Sequence, residues 1–502
     1  MLLINKVVLI DYIIIILGGI GVEHTGHVRI ERKIVPYHLK DKKVNLIPDN
    51  SYASLLPGEV KEKEVIKGIT TGNREIAFIG CKYNNCSLGY KVLVISNCNT
   101  GLYSGITKFD RICFEGKAVN TFTGPGRAFV SEEGLDISER MKGITPKKWE
   151  EVNSKVKTKI RTDEIQLSVD FSFWHNLKYA ETSMGEAIPR FSLEYMRKKN
   201  IKSIPQIYLM VYDFFCFLNF RRNISFDKIT LQIKEGDKFN TIATVYVNTE
   251  DNDEYDRNEN NTIISEDCNK YWGDLFKVVA LRRTQKIYDN FYIPRNSKEA
   301  SSVTYEKYLA CALSLESEYE RLYPSKKTDN KFYTDVHNIF EKTADELSVL
   351  FDAIKNEQLI FDEFLELYYN GVDKKYNKFM KDASKTKRRK TDGYCEKIKE
   401  ALSKIDYSLA EKYKNAINNN REYLQPVIDE LCNYNHIQFP SANDAGNIFA
   451  DFRNGIAHGN PREIEEIHCV LYEVARALIY IMVLKKANAD SESIKAIIKK
   501  LF

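Results

Sequence analysis

FPSANDAGNIFADFRNGIAHGNPREIEEIHCVLYEVARALIYIMV, residues 439 to 483, reads as two amphipathic helices joined by a glycine-bearing turn. Ser441, after Pro440, offers an N-cap oxygen. Ala445, Ile448, Phe449 and Phe452 then recur at spacings of three and four, the stripe of a helix with one buried face. The stripe runs into Arg453-Asn454, after which Gly455 and Gly459 weaken and stop the helix. Asn460 is a second N-cap candidate, Pro461 suits the first helical position, and Glu463, Glu465 and Glu466 complement the positive end of the helix dipole. The second helix is expected to bury Ile464, Ile467, Leu471, Val474, Leu478 and Met482.

Upstream, the same periodicity continues back to about Pro294, and glycine and proline become rare. Tyr305, Leu309, Ala312, Leu313 and Glu316 share one predicted stripe. Further helices are predicted over Thr328 to Asn356, Gln358 to Tyr369, Tyr394 to Lys404, Ser408 to Asn418 and Arg421 to Tyr434. Before Pro294 the pattern is different. Short β-branched and aromatic runs, VRIERKI (28 to 34), REIAFIG (74 to 80), YKVLVIS (90 to 96), QLSVDFSF (166 to 173), KITLQI (228 to 233) and TIATVYV (241 to 247), are separated by Gly, Asn, Asp and Pro clusters. One helix is expected among them at Ile204 to Leu218, and Gly124-Pro125-Gly126 carries a type II turn signal. The acidic stretch Glu250 to Asn261 lacks the glycine and final glutamate of a calcium loop and reads as a solvated hairpin tip. The chain is therefore expected to be α+β: an apolar segment over 1–24, a β-rich sensing domain over 25–293, and an all-α helical bundle over 294–502.

A formal charge of +4 on 502 residues argues against a protein that coats nucleic acid by charge alone. Any nucleic-acid site must be a local patch. One candidate is the run from Asp373 to Lys390, with nine lysines or arginines against two aspartates. Its densest part, Lys385, Lys387, Arg388, Arg389 and Lys390, is assigned to RNA binding, with Tyr376 and Phe379 able to stack on bases. A solvated connector is the alternative reading of that run.

The ten cysteines are scattered through both halves, as expected of reduced cytoplasmic thiols. Cys81, Cys86, Cys98 and Cys113 offer zinc donors, but at irregular intervals and with no CxxC pair. No metal or cofactor is assigned. Val7 to Val22 is apolar but interrupted by Asp11 and a Gly-Gly pair. It reads as a buried strand or as sequence upstream of the true start, with a membrane anchor as the alternative. There is no Walker loop, G-x-S-x-G elbow or HExxH, and so no expected ATP requirement.

The chemistry concentrates in Arg453-Asn454-Gly455-Ile456-Ala457-His458. An arginine fork pairs with phosphate, and an imidazole exchanges a proton near neutrality. Asn454 and His458, four residues apart, share a helix face, so Asn454 can orient the ring. Arg453 lies five residues before His458, about 140° around a straight helix, so the two side chains diverge. Either Gly455 lets the helix end unwind, or a second copy completes the site. A histidine at a helix end is also a common cap for the last carbonyls. Glu316, on the apolar stripe of its helix, is expected to pair with Arg453 or polarise the site, or else to reach solvent from the stripe's edge.

These residues, together with YLACALSLESEYERLY (308 to 323), resemble the HEPN superfamily and within it the Apea-like HEPN domain, over residues 300 to 490. The β-rich half is similar in architecture to the N-terminal domain that accompanies it. Arg453, Asn454 and His458 match the RNxxxH core in full. The resemblance implies a metal-independent endoribonuclease of prokaryotic anti-phage defence, acting by abortive infection as a homodimer or higher homo-oligomer whose two motifs face one cleft. His458 would be the general acid/base, Arg453 would stabilise the pentacoordinate phosphate, and Asn454 would position the ring or the phosphate. RNA, with tRNA one candidate, would be left with 2′,3′-cyclic phosphate and 5′-hydroxyl ends. The resemblance also implies a restrained resting state, released when a phage protein binds the β-rich half, and a cytoplasmic location without stable membrane association. The alternatives are a non-catalytic RNA- or nucleotide-binding protein and a membrane-associated sensor anchored by Val7 to Val22.

Overall fold

The computed structural model describes residues 23–47, 60–84, 86–97, 106–124, 129–130, 145–146, 153–174, 186–248, 261–284, 292–300, 302–323, 342 and 408–502. Val7 to Val22, the acidic stretch up to residue 260, the predicted helices at 328–356, 358–369 and 394–404, and the basic run with Lys385 to Lys390 lie outside them.

The fold is α+β, with a β-rich N-terminal part and a helical C-terminal part. Fifteen strands are described: β1 (His24–Ile30), β2 (Lys33–Lys40), β3 (Lys43–Leu46), β4 (Lys61–Thr70), β5 (Glu75–Tyr83), β6 (Ser87–Gly89), β7 (Val92–Ser96), β8 (Lys108–Glu115), β9 (Phe129–Val130), β10 (Thr145–Pro146), β11 (Ser154–Ile160), β12 (Asp163–Trp174), β13 (Glu186–Asn200), β14 (Lys228–Glu235) and β15 (Lys238–Val247). The helices are α1 (Lys117–Thr123), α2 (Ile204–Asn219), α3 (Trp272–Thr284), α4 (Ser297–Ala300), α5 (Tyr305–Leu322), α6 (Leu409–Asn419), α7 (Arg421–Asn435), α8 (Ala442–Ala457), α9 (Glu466–Lys486) and α10 (Ser491–Leu501).

Strands β5-β4-β1-β2-β3-β6 pair in that order, and β6 pairs back to β5, closing a six-stranded barrel. Closure leaves no free edge among these strands. Alternation fills the interior with Val28, Ile30, Tyr37, Leu39, Ile66 and Phe78, among others. Gly26 and Gly68 lie where β1 and β4 come closest, and a Cβ on either would fall 2.1–2.2 Å from a carbonyl oxygen of the other strand. VRIERKI is not one strand: β1 turns into β2 at Glu31 and Arg32, both with positive φ (48° and 71°). That geometry fits a two-residue hairpin, but the stretch lacks the Asn-Gly signal that usually marks one, so the sequence reads as continuous.

β5 also pairs with β7 and so joins the barrel to an antiparallel sheet in the order β11-β12-β13-β8-β14-β15-β7-β5. One face of this sheet is apolar. Phe191 on β13 meets Phe214 and Phe215 of α2 and Trp272 and Phe276 of α3. The opposite face carries a buried polar network. Arg111 donates to Ser168 (3.1 Å), Ser192 (2.5 Å) and Asp170, and Arg190 Nε donates to Glu115 at 2.9 Å.

The chain forms two compact units. The first is Met1–Glu318, Asn419–Phe439 and Asp451–Phe502; the second is Tyr319–Asn418 and Pro440–Ala450. In the first, α9 packs on α2: Tyr480 stacks on Phe217 at 4.4 Å and its hydroxyl donates to the Phe217 carbonyl at 3.0 Å. Residues from Val470 to Leu484 of α9 are almost all buried, which is why the helix is apolar all round. Both helices are long and apolar enough to cross a membrane by length and composition, and here 61% of the apolar stretch at Ile201–Asn219 and 83% of that at Glu466–Lys486 is buried within the chain. In the second unit, Tyr413 of α6 stacks flat on Phe449 of α8 at 4.3 Å.

The buried stripe of α5 differs from the predicted one. Tyr308, Cys311, Ala312, Leu315 and Tyr319 are buried, whereas Leu313 is exposed and Glu316 only half-buried. Two apolar stripes compete on this helix, and the one with the tyrosines buries the larger area. The glutamate that it takes inside is Glu318, whose Oε2 lies 2.6 Å from Arg282 Nη2 of α3.

Candidate functional site

Helix α8 starts as the sequence predicts, with the Ser441 hydroxyl accepting from the Asp444 backbone N–H at 3.2 Å. Its C-terminal end is fixed by Phe452. That ring stacks on His468 of α9 at 3.9 Å and meets the edge of Tyr308 of α5 at 4.8 Å. The helix does not unwind at Gly455. It continues to Ala457 and closes in a Schellman motif, in which Gly459 (φ 73°) donates to the Ile456 carbonyl at 3.1 Å and Asn460 to the Gly455 carbonyl at 2.8 Å. His458 is the residue at the cap. A Cβ on Gly455 would lie 3.1 Å from the Asn460 oxygen, so the glycine accommodates the returning chain and leaves the helix intact.

The connector after the cap differs from expectation. Pro461 does not open a helix. Tyr305 of α5 holds the connector by donating to the Arg462 carbonyl at 3.0 Å. Helix α9 begins at Glu466, five residues after Pro461, and Ile464 and Ile467 are only half-buried. Its start is set by a reciprocal cap. The Glu465 side chain accepts from the His468 N–H, and His468 Nδ1 accepts from the Glu465 N–H at 3.0 Å.

His468 thus needs an unprotonated Nδ1, and burial pushes its pKa below the usual histidine value of 6.5. The unfolded chain binds the proton more readily, so this contribution to stability is present above about pH 6.5 and is lost as pH falls below it. His468→Gln keeps an acceptor at the third helical position but does not titrate. Thermal melts between about pH 7 and 5.5 should show the wild type losing stability faster than His468→Gln, and parallel losses would contradict this account.

Arg453, Asn454 and His458 all lie on the last turns of α8. Arg453 is half-buried, and its Nη1 donates to Asn454 Oδ1 at 3.1 Å, while its Nε is buried without a hydrogen-bond partner among the described residues. Asn454 is therefore engaged by Arg453 and makes no hydrogen bond to the imidazole among the described residues. The His458 side chain is exposed, and among the described residues it makes no hydrogen bond or ion pair. Glu316 is not joined to Arg453 by an ion pair. Phe452, beside Arg453, meets Tyr305 and Tyr308 on the first turns of α5, and Glu316 lies about 12 Å further along that helix than Tyr308.

Cys81 lies in the barrel interior and donates to the Phe78 carbonyl, and Cys113 lies on the polar sheet face beside Gln232. Among the described residues no three His, Cys, Asp or Glu side chains gather into a metal-binding group. Buried charged groups that sequence reasoning did not single out include the Arg282–Glu318 pair and Arg476 on α9. Arg476 had a visible signal, since it interrupts the apolar run VLYEVARALIYIMV. No family model matches the chain, and neither a curated protein nor a solved structure matches it.

Proposed function

We propose that the chain is a metal-independent endoribonuclease of the HEPN type, acting in anti-phage abortive infection. The observation that carries this reading is His458, an exposed imidazole with no hydrogen-bond or ion-pair partner among the described residues, held at a helix end by backbone hydrogen bonds and flanked by the RNxxxH arginine and asparagine. A group with those properties can exchange protons with a bound substrate without first breaking a contact of its own. In the proposed reaction, His458 removes the proton of a ribose 2′-hydroxyl. The 2′-oxygen attacks the adjacent phosphorus, and the 5′-oxygen leaves with a proton from an imidazolium, giving a 2′,3′-cyclic phosphate and a 5′-hydroxyl. Arg453, permanently charged, stabilises the extra negative charge at phosphorus.

A single chain offers half of this arrangement. Arg453 and His458 lie about 140° apart on an unbroken helix, and one imidazole cannot be acid and base at once. A second copy facing the first supplies both the missing proton donor and a second arginine. Glu463, Glu465 and Glu466 follow closely after His458, so attraction of the RNA backbone rests on Arg453, Arg462 and the basic run at 374–390.

The test is incubation of the purified full chain with total cellular RNA in EDTA, with and without extract of infected cells, followed by end-group analysis. The wild type should yield cyclic phosphate and 5′-hydroxyl ends and leave DNA intact, and Arg453→Ala should cut about 10²–10³-fold more slowly. No cleavage by the wild type in either condition would sink the nuclease reading and leave a protein that grips RNA without cutting it.

A further inference from the structure

Residues 23 to 97, which build the barrel and the strand that joins it to the sheet, hold twelve lysines and arginines against eight aspartates and glutamates. That surplus equals the formal +4 of the whole chain, so the remaining charges cancel. The alternation that sends Val28, Tyr37 and Leu39 into the barrel sends their neighbours outward. Strand register sets His27 of β1 beside Pro36 of β2 and Ile69 of β4, Arg29 beside Ile34, and Lys40 beside Lys43 of β3. His27, Arg29, Lys40 and Lys43 are exposed, as are Ile34 (52%) and Ile47 (56%). Lys67, half-buried, precedes the Gly68 that pairs with Val28.

The acids of this region are mostly committed elsewhere. Glu31 pairs with Lys61 and Glu62 with Lys82, each at 2.9 Å, Glu64 pairs with Lys202, and Glu23 lies 2.8 Å from His38 Nε2. Glu75 is buried and accepts from the Ile106 N–H at 3.0 Å. Asp41 is exposed in the β2–β3 turn, and Asp49 and Glu59 lie outside the described residues. Arg29, Arg32, Lys40, Lys43 and Lys67 join no ion pair among the described residues, so the outer face of β4-β1-β2-β3 is positive.

A polyanion matches those cations, and the groups between them decide its kind. A duplex hides its bases, whereas a single strand offers base faces that stack on imidazole and guanidinium planes. His27 and Arg29 supply such planes in the open, and Ile34, Pro36 and Ile47 supply aliphatic contact. The eight residues of β2 make the face about 26 Å long, and four strands make it about 14 Å wide.

We propose that this outer face binds single-stranded nucleic acid. Phosphates pair with Arg29, Lys40, Lys43 and Lys67, and bases lie on His27 and the isoleucines. The surface is separate from Arg453 and His458, and binding there does not depend on their chemistry.

Fluorescence anisotropy on the full chain tests it, in a His458→Ala background that keeps an RNA probe intact. The probes are labelled oligouridylate and oligodeoxythymidylate of about 12 nucleotides, with an RNA duplex of equal length and phosphatidylcholine–phosphatidylglycerol vesicles as controls. A single strand should bind with a Kd at or below about 10 µM in about 100 mM NaCl, more tightly than the duplex, and the tighter of the two strands identifies the preferred sugar. Arg29→Glu with Lys67→Glu should weaken that binding at least about tenfold. The charge-matched reversal of Lys155 and Lys157, exposed on β11, should change it less than about threefold. His27→Ala, a smaller change at an exposed site, should weaken it about fivefold and carries the test alone if the double reversal disturbs the melting curve. Four results would each overturn the proposal: no single-strand binding, tighter binding of the duplex, equal losses in the two double variants, or full affinity in folded Arg29→Glu/Lys67→Glu and in His27→Ala. Vesicle binding without single-strand binding would make the face a membrane surface instead.

Discussion

His458→Ala should lower the rate of RNA cleavage by about 10²–10⁴-fold, the usual contribution of a positioned general acid or base, while the unfolding free energy stays within about 0.5 kcal/mol of wild type. The two halves of that expectation have different origins. The rate loss follows from the proposed proton transfer. The unchanged stability follows from the cap, whose hydrogen bonds run between backbone groups of Asn454, Gly455, Ile456, His458, Gly459 and Asn460 and do not involve the imidazole. A His458 side chain that were merely structural would give the opposite pattern, lower stability with cleavage intact. Single-turnover kinetics beside urea denaturation of the same preparation separate the two. Cleavage by His458→Ala at the wild-type rate would remove His458 from the mechanism.

Glu318→Ala should destabilise the fold by about 3–5 kcal/mol, since it leaves the Arg282 guanidinium charged in a site that excludes water. Arg282 is 5% exposed and Glu318 3%, and their oxygen-to-nitrogen distance is 2.6 Å. Replacing both at once, Arg282→Met with Glu318→Leu, should recover most of the loss, because two apolar side chains of similar size need no compensation. Urea unfolding should show a lower midpoint at unchanged slope for the single variant. If the double variant is as unstable as the single one, the pair is not the source of the effect. The result matters for the α5 helix as a whole: it is Glu318, and not Glu316, whose charge the packing of α3 against α5 must accommodate.

Local regularities carried much of this protein into view from the sequence alone. Strand runs such as REIAFIG and KITLQI, the helix at Ile204 to Asn219, and helices α6, α7 and α8 are written in period-two and period-3.6 patterns and in caps such as Ser441, all interactions between residues close in the chain. The α+β class follows from where those periods change. The RNxxxH residues were likewise legible as a set, because their spacing is a property of one helix.

Tertiary structure decided whatever depends on partners distant in sequence. Closure of the barrel requires β6 to return to β5, and hairpin turns at Glu31-Arg32 carry no glycine to announce them. On α5 two stripes were available, and the neighbours of Tyr308 and Tyr319 selected one. The start of α9 lies at Glu466, where Glu465 and His468 cap each other. Arg282 and Glu318 look like surface charges in isolation, since a side chain's solvation is set by what packs over it. The exposure of the His458 ring is of the same kind: sequence named the residue, and only the folded chain showed that no hydrogen bond or ion pair among the described residues takes up the imidazole.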